Sequence, residues 1–218
     1  YNNIERKATL LDSITNLPVL KDRFYNRFGK QGVLLSNDTI TSKKTIALLT
    51  ELDYKKKGIQ ELNNLLYLQK LFLPGSNMSS VQVVDVDKNV FRLKDVITKP
   101  TILHSWNIDS YLHHSSNHKT IKKLSEKYPE VDFIGITTDY ANFTEDQTTV
   151  NRWIKTVEEH NYNPENEYHI LTSPVASKLL RNYTNKVIFV NKTGIITIGA
   201  TLLNDSDFEQ IILEFLNQ

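Results

Sequence analysis

The sequence predicts an α/β fold, a mixed β-sheet flanked by helices and preceded by an α-helical N-terminal segment. Three observations predict it. Apolar residues recur at helical spacing as far as Leu73, and beyond it short apolar runs alternate with helical stretches. Pro74 and Gly75 stand at the change. Charge changes at the same place: residues 1–73 hold 12 Lys and Arg against 7 Asp and Glu, a net +5, and residues 74–218 hold 14 against 18, a net −4. Two units are expected, 1–73 and 74–218.

In the N-terminal segment, Asn16 is the expected N-cap, with Pro18 in the first turn where its missing N–H costs nothing. Leu17, Leu20, Phe24 and Phe28 follow at helical spacing and mark an apolar face. Gly29 and Gly32 weaken that helix, and Ser36-Asn37-Asp38 reads as a loop. Thr41 or Ser42 caps the next helix, whose face is Ile46, Leu49 and Leu52. A break is expected at Gly58, and Ile59, Leu62, Leu65, Leu66 and Leu68 begin another stripe. These stripes read as packing surfaces rather than an open partner groove.

After Pro74, residues 81–85 and 90–93 read as short strands around a turn at Asp87-Lys88-Asn89. Residues 100–106 and 131–137 are apolar enough for buried strands. Between them, residues 110–127 form a helix with Ile121 and Leu124 inward. Residues 146–160 are helical around Val150, Trp153, Ile154 and Val157. A strand at 168–171 and a short helix at 174–181 follow. Residues 187–190 and 195–198 pair across Asn191-Lys192-Thr193-Gly194, and Phe208, Ile211, Ile212 and Phe215 mark a last helix. Strands alternating with crossover helices, then a hairpin and a helix, make a mixed sheet.

Composition removes several functions. With 218 residues, 39% of them hydrophobic, the chain can bury a core without staples. A net charge of +1 excludes a strongly basic nucleic-acid binder. The absence of cysteine removes disulfides, thiolate metal sites, iron–sulfur clusters and every thiol mechanism. No apolar run approaches the ~20 residues that span a bilayer. A start at Tyr1 without methionine reads as a processed or trimmed product, which leaves room for a lipid anchor on an upstream residue.

Five stretches carry a resemblance to a known family. Leu73-Pro74-Gly75-Ser76, followed by Val81-Gln82-Val83-Val84-Asp85, resembles the entry "PG…APxFxLxD" of the TlpA/ResA-like thioredoxins of the bacterial envelope, the redoxin or AhpC/TSA-like group. Asn89-Val90-Phe91-Arg92-Leu93-Lys94-Asp95 resembles its "G..V.LSD", and Lys99-Pro100-Thr101-Ile102-Leu103-His104-Ser105-Trp106 its "GKPVLVNFW". Lys127-Tyr128 with Phe133-Ile134-Gly135-Ile136-Thr137 resembles "KY…FVGIS". Phe189-Val190-Asn191-Lys192-Thr193-Gly194-Ile195-Ile196 resembles "LIDKDGKI". The resemblance covers about two-thirds of the chain and implies a thioredoxin-like fold.

The resemblance also implies where the chemistry would sit, and there it is gone. The family places W-x-x-x-C-x-x-C after the central strand, with the first cysteine activated at a helix N-terminus. Here the tract is Trp106-Asn107-Ile108-Asp109-Ser110-Tyr111-Leu112-His113, with Ser110 for the nucleophile and His113 for the resolving cysteine. The buried acid of the family falls at His104, the glutamate after the cysteine pair at Ser116, and the cis-proline at Asn185. A cis bond before a residue other than proline costs ~2.5–4 kcal/mol, so a trans peptide is expected at Asn185. Serine with histidine, rather than paired serines or alanines, reads as natural loss and not engineering. What remains is a groove lined by Trp106, Ile108, Tyr111, Leu112, Thr184, Asn185 and Lys186, fit for an extended segment of a protein partner. Asp109 is the expected cap of the helix that follows.

Other chemistry is thin. His114 and His118 share a helical face at i,i+4, and His113 lies about 100° from His114 around the helix axis. The three could hold Zn(II) or Cu(II) through imidazole, with His160 or His169 as a further ligand, or could simply be exposed on a surface helix. Ser110 with His113 or His114 lacks a nucleophile elbow and an orienting acid. The acid pairs Glu145-Asp146 and Glu158-Glu159 and the runs Lys55-Lys56-Lys57 and Lys122-Lys123 read as solvated surface. The expectation is therefore a redox-inactive, protein-binding or structural module of the bacterial periplasm or cell envelope, using the degenerate groove or the helical segment as its interface, without cofactor, nucleic acid or membrane span. The competing expectation is a metal-binding protein built on His113, His114 and His118.

Overall fold

The computed structural model describes residues 2–77, 81–137, 147–171 and 186–217. They fall into two compact units that divide between Leu73 and Pro74.

The first unit is helical: α1 (Asn2–Ile14), α2 (Pro18–Leu34), α3 (Thr39–Glu51) and α4 (Lys56–Gln69), closed by a 3-10 turn at Lys70–Phe72. Sequence periodicity placed no helix at α1. It buries Ala8 and Leu11 and is also tied to α2 by polar contacts, Tyr25 Oη donating to Asp12 Oδ1 at 3.0 Å and Lys21 pairing with the same carboxylate. Helix α2 begins after Leu17, not Asn16, and no side chain caps it. Its buried face is Tyr25, Gly29, Gly32, Val33 and Leu34, while Leu17, Leu20 and Val19 stay exposed. The glycines that were expected to weaken α2 let its neighbours approach. A Cβ on Gly29 would lie 2.4 Å from Leu62 Cδ1, and one on Gly32 would lie 2.5 Å from the Thr45 side chain. Asp38, rather than Thr41 or Ser42, caps α3, its Oδ1 accepting from Thr41 N at 2.6 Å. The break before α4 lies at residues 52–55, where Asp53 takes φ 57°, and Gly58 is inside the helix.

The second unit carries a seven-stranded sheet of order β2-β1-β5-β4-β3-β6-β7. The strands are β1 (Gln82–Val84), β2 (Val90–Arg92), β3 (Thr101–Trp106), β4 (Asp132–Thr137), β5 (Glu167–Ile170), β6 (Lys186–Val190) and β7 (Ile196–Leu202). The β3–β4 and β4–β5 pairs are parallel and the other four antiparallel, so the sheet is mixed, as the alternation of elements predicts. Among the described residues its helices are α5 (Tyr111–Lys127), α6 (Gln147–Glu159) and α7 (Phe208–Leu216).

Local chemistry explains these turns. Asn191 Oδ1 accepts from Thr193 N and Ile195 N, both at 3.0 Å, and Gly194 takes φ 79° to turn β6 into β7. In the β1–β2 hairpin Asp85 Oδ1 accepts from Asn89 N at 2.8 Å. Two apolar clusters form among its described residues. One joins Ile102 and Phe133 of the sheet to Ile121 and Leu124 of α5 and to Phe208, Ile212 and Phe215 of α7. The other gathers Val84 and Trp106 with Val150, Trp153 and Val157 of α6. The expected helix at 174–181 lies outside the described residues.

Candidate functional site

Strand β3 is buried at all six positions and runs out at Trp106. The chain then turns through Asn107, whose Oδ1 accepts from Asp109 N at 2.9 Å. Helix α5 starts after Ser110, whose carbonyl accepts from His113 N at 2.9 Å and His114 N at 3.0 Å. Ser110 thus opens the helix, but its side chain makes no cap bond. Asp109, the expected cap, instead takes Arg152 Nη2 at 2.7 Å on the surface.

The inward face of α5 carries His114, Asn117, Ile121 and Leu124. Its first turn presents Tyr111, 55% exposed, and Leu112, 84% exposed. Ile108 is partly buried and packs against the Trp106 cluster. Two residues expected to line the groove do not do so. Trp106 is fully buried, and Lys186 is buried at the start of β6, where loss of hydration pushes its amine down to about 8. Thr184 and Asn185 lie outside the described residues. Ser116 is exposed.

The histidines differ most from the expectation of exposed rings on a surface helix. His114 is 1% exposed, and its Nδ1 lies 2.7 Å from Tyr162 Oη. Burial, reinforced by His118, His160 and His113, pushes His114 down to about 4, so the ring is neutral. His118 stacks on Tyr162 with ring centroids 3.5 Å apart and planes 4° apart. His113 is half-buried on a different face. His113, His114 and His118 therefore do not converge on one point.

A different set does converge. His118 Nδ1 is 2.7 Å from the His114 carbonyl, and its Nε2 is 3.1 Å from Glu167 Oε1. Glu167 is 3% exposed, and its other oxygen accepts from Trp106 Nε1 at 2.8 Å. A carbonyl can only accept, so His118 Nδ1 carries a proton. Nε2 then faces a carboxylate oxygen, and that contact also needs a proton on one side or the other. Beside this pair sits His104 of β3, 2% exposed, with its ring 5.3 Å from that of His118. Neither His104 nitrogen has a hydrogen-bond partner. Burial first, and His118 second, hold His104 well below the usual imidazole range. Among the described residues, His104, His118 and Glu167 form a group of metal-capable side chains whose ligand atoms lie within 4.8 Å of one another.

Sheet register builds the group. Gly135 of β4 pairs with His104 on one side and Glu167 on the other. A Cβ on Gly135 would meet Glu167 Oε2 at 2.2 Å, so the glycine makes room for the buried carboxylate. A cleft of ≈ 490 Å³ opens beside the group, and His118, Glu167, Tyr162 and His160 are among the residues that line it. Sequence reasoning missed Glu167 and Tyr162. The β5 strand was expected to begin one residue later, and nothing in one strand's pattern shows a partner two strands away.

The remaining candidates are structural. Trp153 of α6 is fully buried in the cluster with Val84 and Trp106 of the sheet. Glu158 and Glu159 are exposed, and Glu159 pairs with Lys155 at 3.5 Å. Glu145-Asp146 lies outside the described residues. No helix of the described residues is long and apolar enough to cross a membrane.

No family model matches the sequence, and no curated protein matches it. Solved structures do match. The crystal structure of a Bacteroides vulgatus protein described as a thiol-disulfide oxidoreductase is 21% identical, covering 66% of this chain and 98% of that one at a TM-score of 0.50. A solution structure of the same description from Bacteroides vulgatus is 16% identical over 62% of this chain and 86% of that one, also at 0.50. The thioredoxin domain of a thiol-disulfide oxidoreductase from that organism is 18% identical over 66% of this chain and 98% of that one, at 0.47. The fold is thioredoxin-like, with a seven-stranded mixed sheet flanked by helices. Thiol–disulfide exchange needs thiolates, and this chain has no cysteine to supply one.

Proposed function

We propose that the chain is a redox-inactive thioredoxin-like protein that works as a protein-binding or structural module of the bacterial cell envelope. The observation that carries this reading is the start of α5. Where the fold's relatives would place a nucleophilic cysteine by resemblance, Ser110 opens the helix, and Tyr111 and Leu112 stand out at 55% and 84% exposure. An exposed aromatic residue beside an exposed aliphatic one gives an interface an apolar anchor at low entropic cost. Among the described residues expected to line the groove, Trp106 and Lys186 lie beneath the surface, and Ile108, Tyr111 and Leu112 reach it. The envelope location rests on the sequence resemblance.

The test compares capture from envelope extracts by the wild-type chain and by a Tyr111→Ala/Leu112→Ala variant. A partner held by the wild type and lost by the variant is the expected result. Equal capture by both would place the interface elsewhere and remove the groove from the account.

A further inference from the structure

The pair His118–Glu167 poses an electrostatic problem that the binding reading leaves unused. With Nδ1 committed to the His114 carbonyl at 2.7 Å, the neutral tautomer points the Nε2 lone pair at Glu167 Oε1, 3.1 Å away. Two acceptors at that distance need a cation between them, either a proton or a metal ion. His104 stands beside them, 2% exposed, with two nitrogens that no donor or acceptor satisfies. Leaving buried polar atoms unpaired costs roughly 1–3 kcal/mol each, so such a residue calls for an explanation.

We propose that His104, His118 and Glu167 form a binding site for a divalent transition-metal ion of the zinc class. Two imidazoles and one carboxylate are a zinc ligand set that leaves a fourth position open. The ligand atoms lie within 4.8 Å of one another, and zinc at ~2.0–2.1 Å from each draws them inward. The outer contacts are those a metal site needs. The His118 Nδ1–H is held by a backbone carbonyl, which fixes the tautomer with Nε2 toward the ion. Trp106 Nε1 donates to the second oxygen of Glu167, which orients the carboxylate. Gly135 keeps the space between the two strands clear. The cleft beside His118 and Glu167 gives the ion a route in and leaves the open position to water. With no sulfur in the set, Zn(II) or Co(II) is favoured over Cu(I). The site is separate from the exposed Tyr111–Leu112 face, so the two ideas fail independently.

The test uses the chelator-treated full chain titrated with Co(II) and read by its visible ligand-field absorption. One ion per chain is expected, with Glu167→Gln and His104→Leu each weakening binding more than the ~10–100-fold expected of an outer-contact change. His113→Ala, outside the group, should bind as the wild type does. Because a core variant can lose its fold, X-ray absorption of the zinc-loaded wild type provides a second reading, with two imidazoles expected around the ion. A wild type without ligand-field bands, binding that survives both Glu167→Gln and His104→Leu, binding lost in His113→Ala, or an imidazole count other than two would each overturn the site.

Discussion

His104 on β3 and Glu167 on β5 belong to one cross-strand row, because Gly135 of β4 is in register with both. In a sheet, residues in one row project from the same face. The row brings an imidazole and a carboxylate, 63 positions apart in the chain by their numbers, to the two sides of a residue without a side chain. Helix α5 then lays His118 over them.

Gly135→Ala is the most local test of that row. The new Cβ would lie 2.2 Å from Glu167 Oε2, so the carboxylate must move from Trp106 and His118. Overpacking costs roughly 1–3 kcal/mol. Urea unfolding of the full chain should show a loss of that size, and a change under about 0.5 kcal/mol, the scale of a surface substitution, would contradict the packing.

The two tryptophans separate packing from hydrogen bonding. Trp106 Nε1 donates to Glu167, whereas Trp153 Nε1, equally buried, has no partner. Phenylalanine removes similar volume at each. Trp106→Phe should therefore cost more than Trp153→Phe by about 1–3 kcal/mol, the penalty of leaving a buried carboxylate oxygen without its donor. Equal losses in chemical denaturation would show that the Trp106–Glu167 bond contributes nothing.

Lys186 sets a dependence on alkaline pH. Its amine is pushed down to about 8 by burial, from 10.5 when hydrated. Between those values the unfolded chain binds the proton and the folded chain does not, so stability rises with pH across that window and the burial cost is fully present below it. The size is about 3 kcal/mol. Stability measured from pH 8 to pH 10.5 should rise in the wild type relative to Lys186→Met, and Lys186→Met should be the more stable protein at neutral pH. A wild type that is the more stable at pH 7 would mean that the amine is held by a favourable charge.

Asp38 provides the corresponding test in the helical unit. Its carboxylate accepts from Thr41 N at 2.6 Å, and that bond, foremost, holds Asp38 below the ordinary carboxylate range. The contribution is present above the unfolded value of 3.8 and is lost as pH falls through the lower folded value. Asp38→Ala should cost about 1 kcal/mol at neutral pH. The difference between variant and wild type should shrink in acid, and a difference that stays constant to low pH would point away from the cap.

Much of the fold was legible in the chain. The apolar runs at β3 and β4, the turn chemistry of Asn191 and Gly194, and the amphipathic spacing of α6 and α7 act locally, so sequence pattern captures them. Helix α1 escaped because its buried apolar stripe is short, Ala8 and Leu11, and the rest of its attachment is polar, through Asp12 to Lys21 and Tyr25. In α2 the visible stripe misled, because close packing selected the glycine face over the leucines. The buried histidines could have been found. His114, Asn117, Ile121 and Leu124 stand at spacings of three, four and three, so the inward stripe of α5 continues back to the histidine. Glu167 could not have been found this way, since its role comes from strand register and from a glycine on another strand.

The proposed loss of thiol chemistry can be tested by supplying the cysteines. Insulin reduction with dithiothreitol should run at background rate with the wild-type chain, while Ser110→Cys/His113→Cys should close a disulfide across the first turn of α5 and turn over. Turnover by the wild type, or a double-cysteine variant unable to form its disulfide, would contradict the claim that this fold keeps the place of a thiol pair without the sulfur.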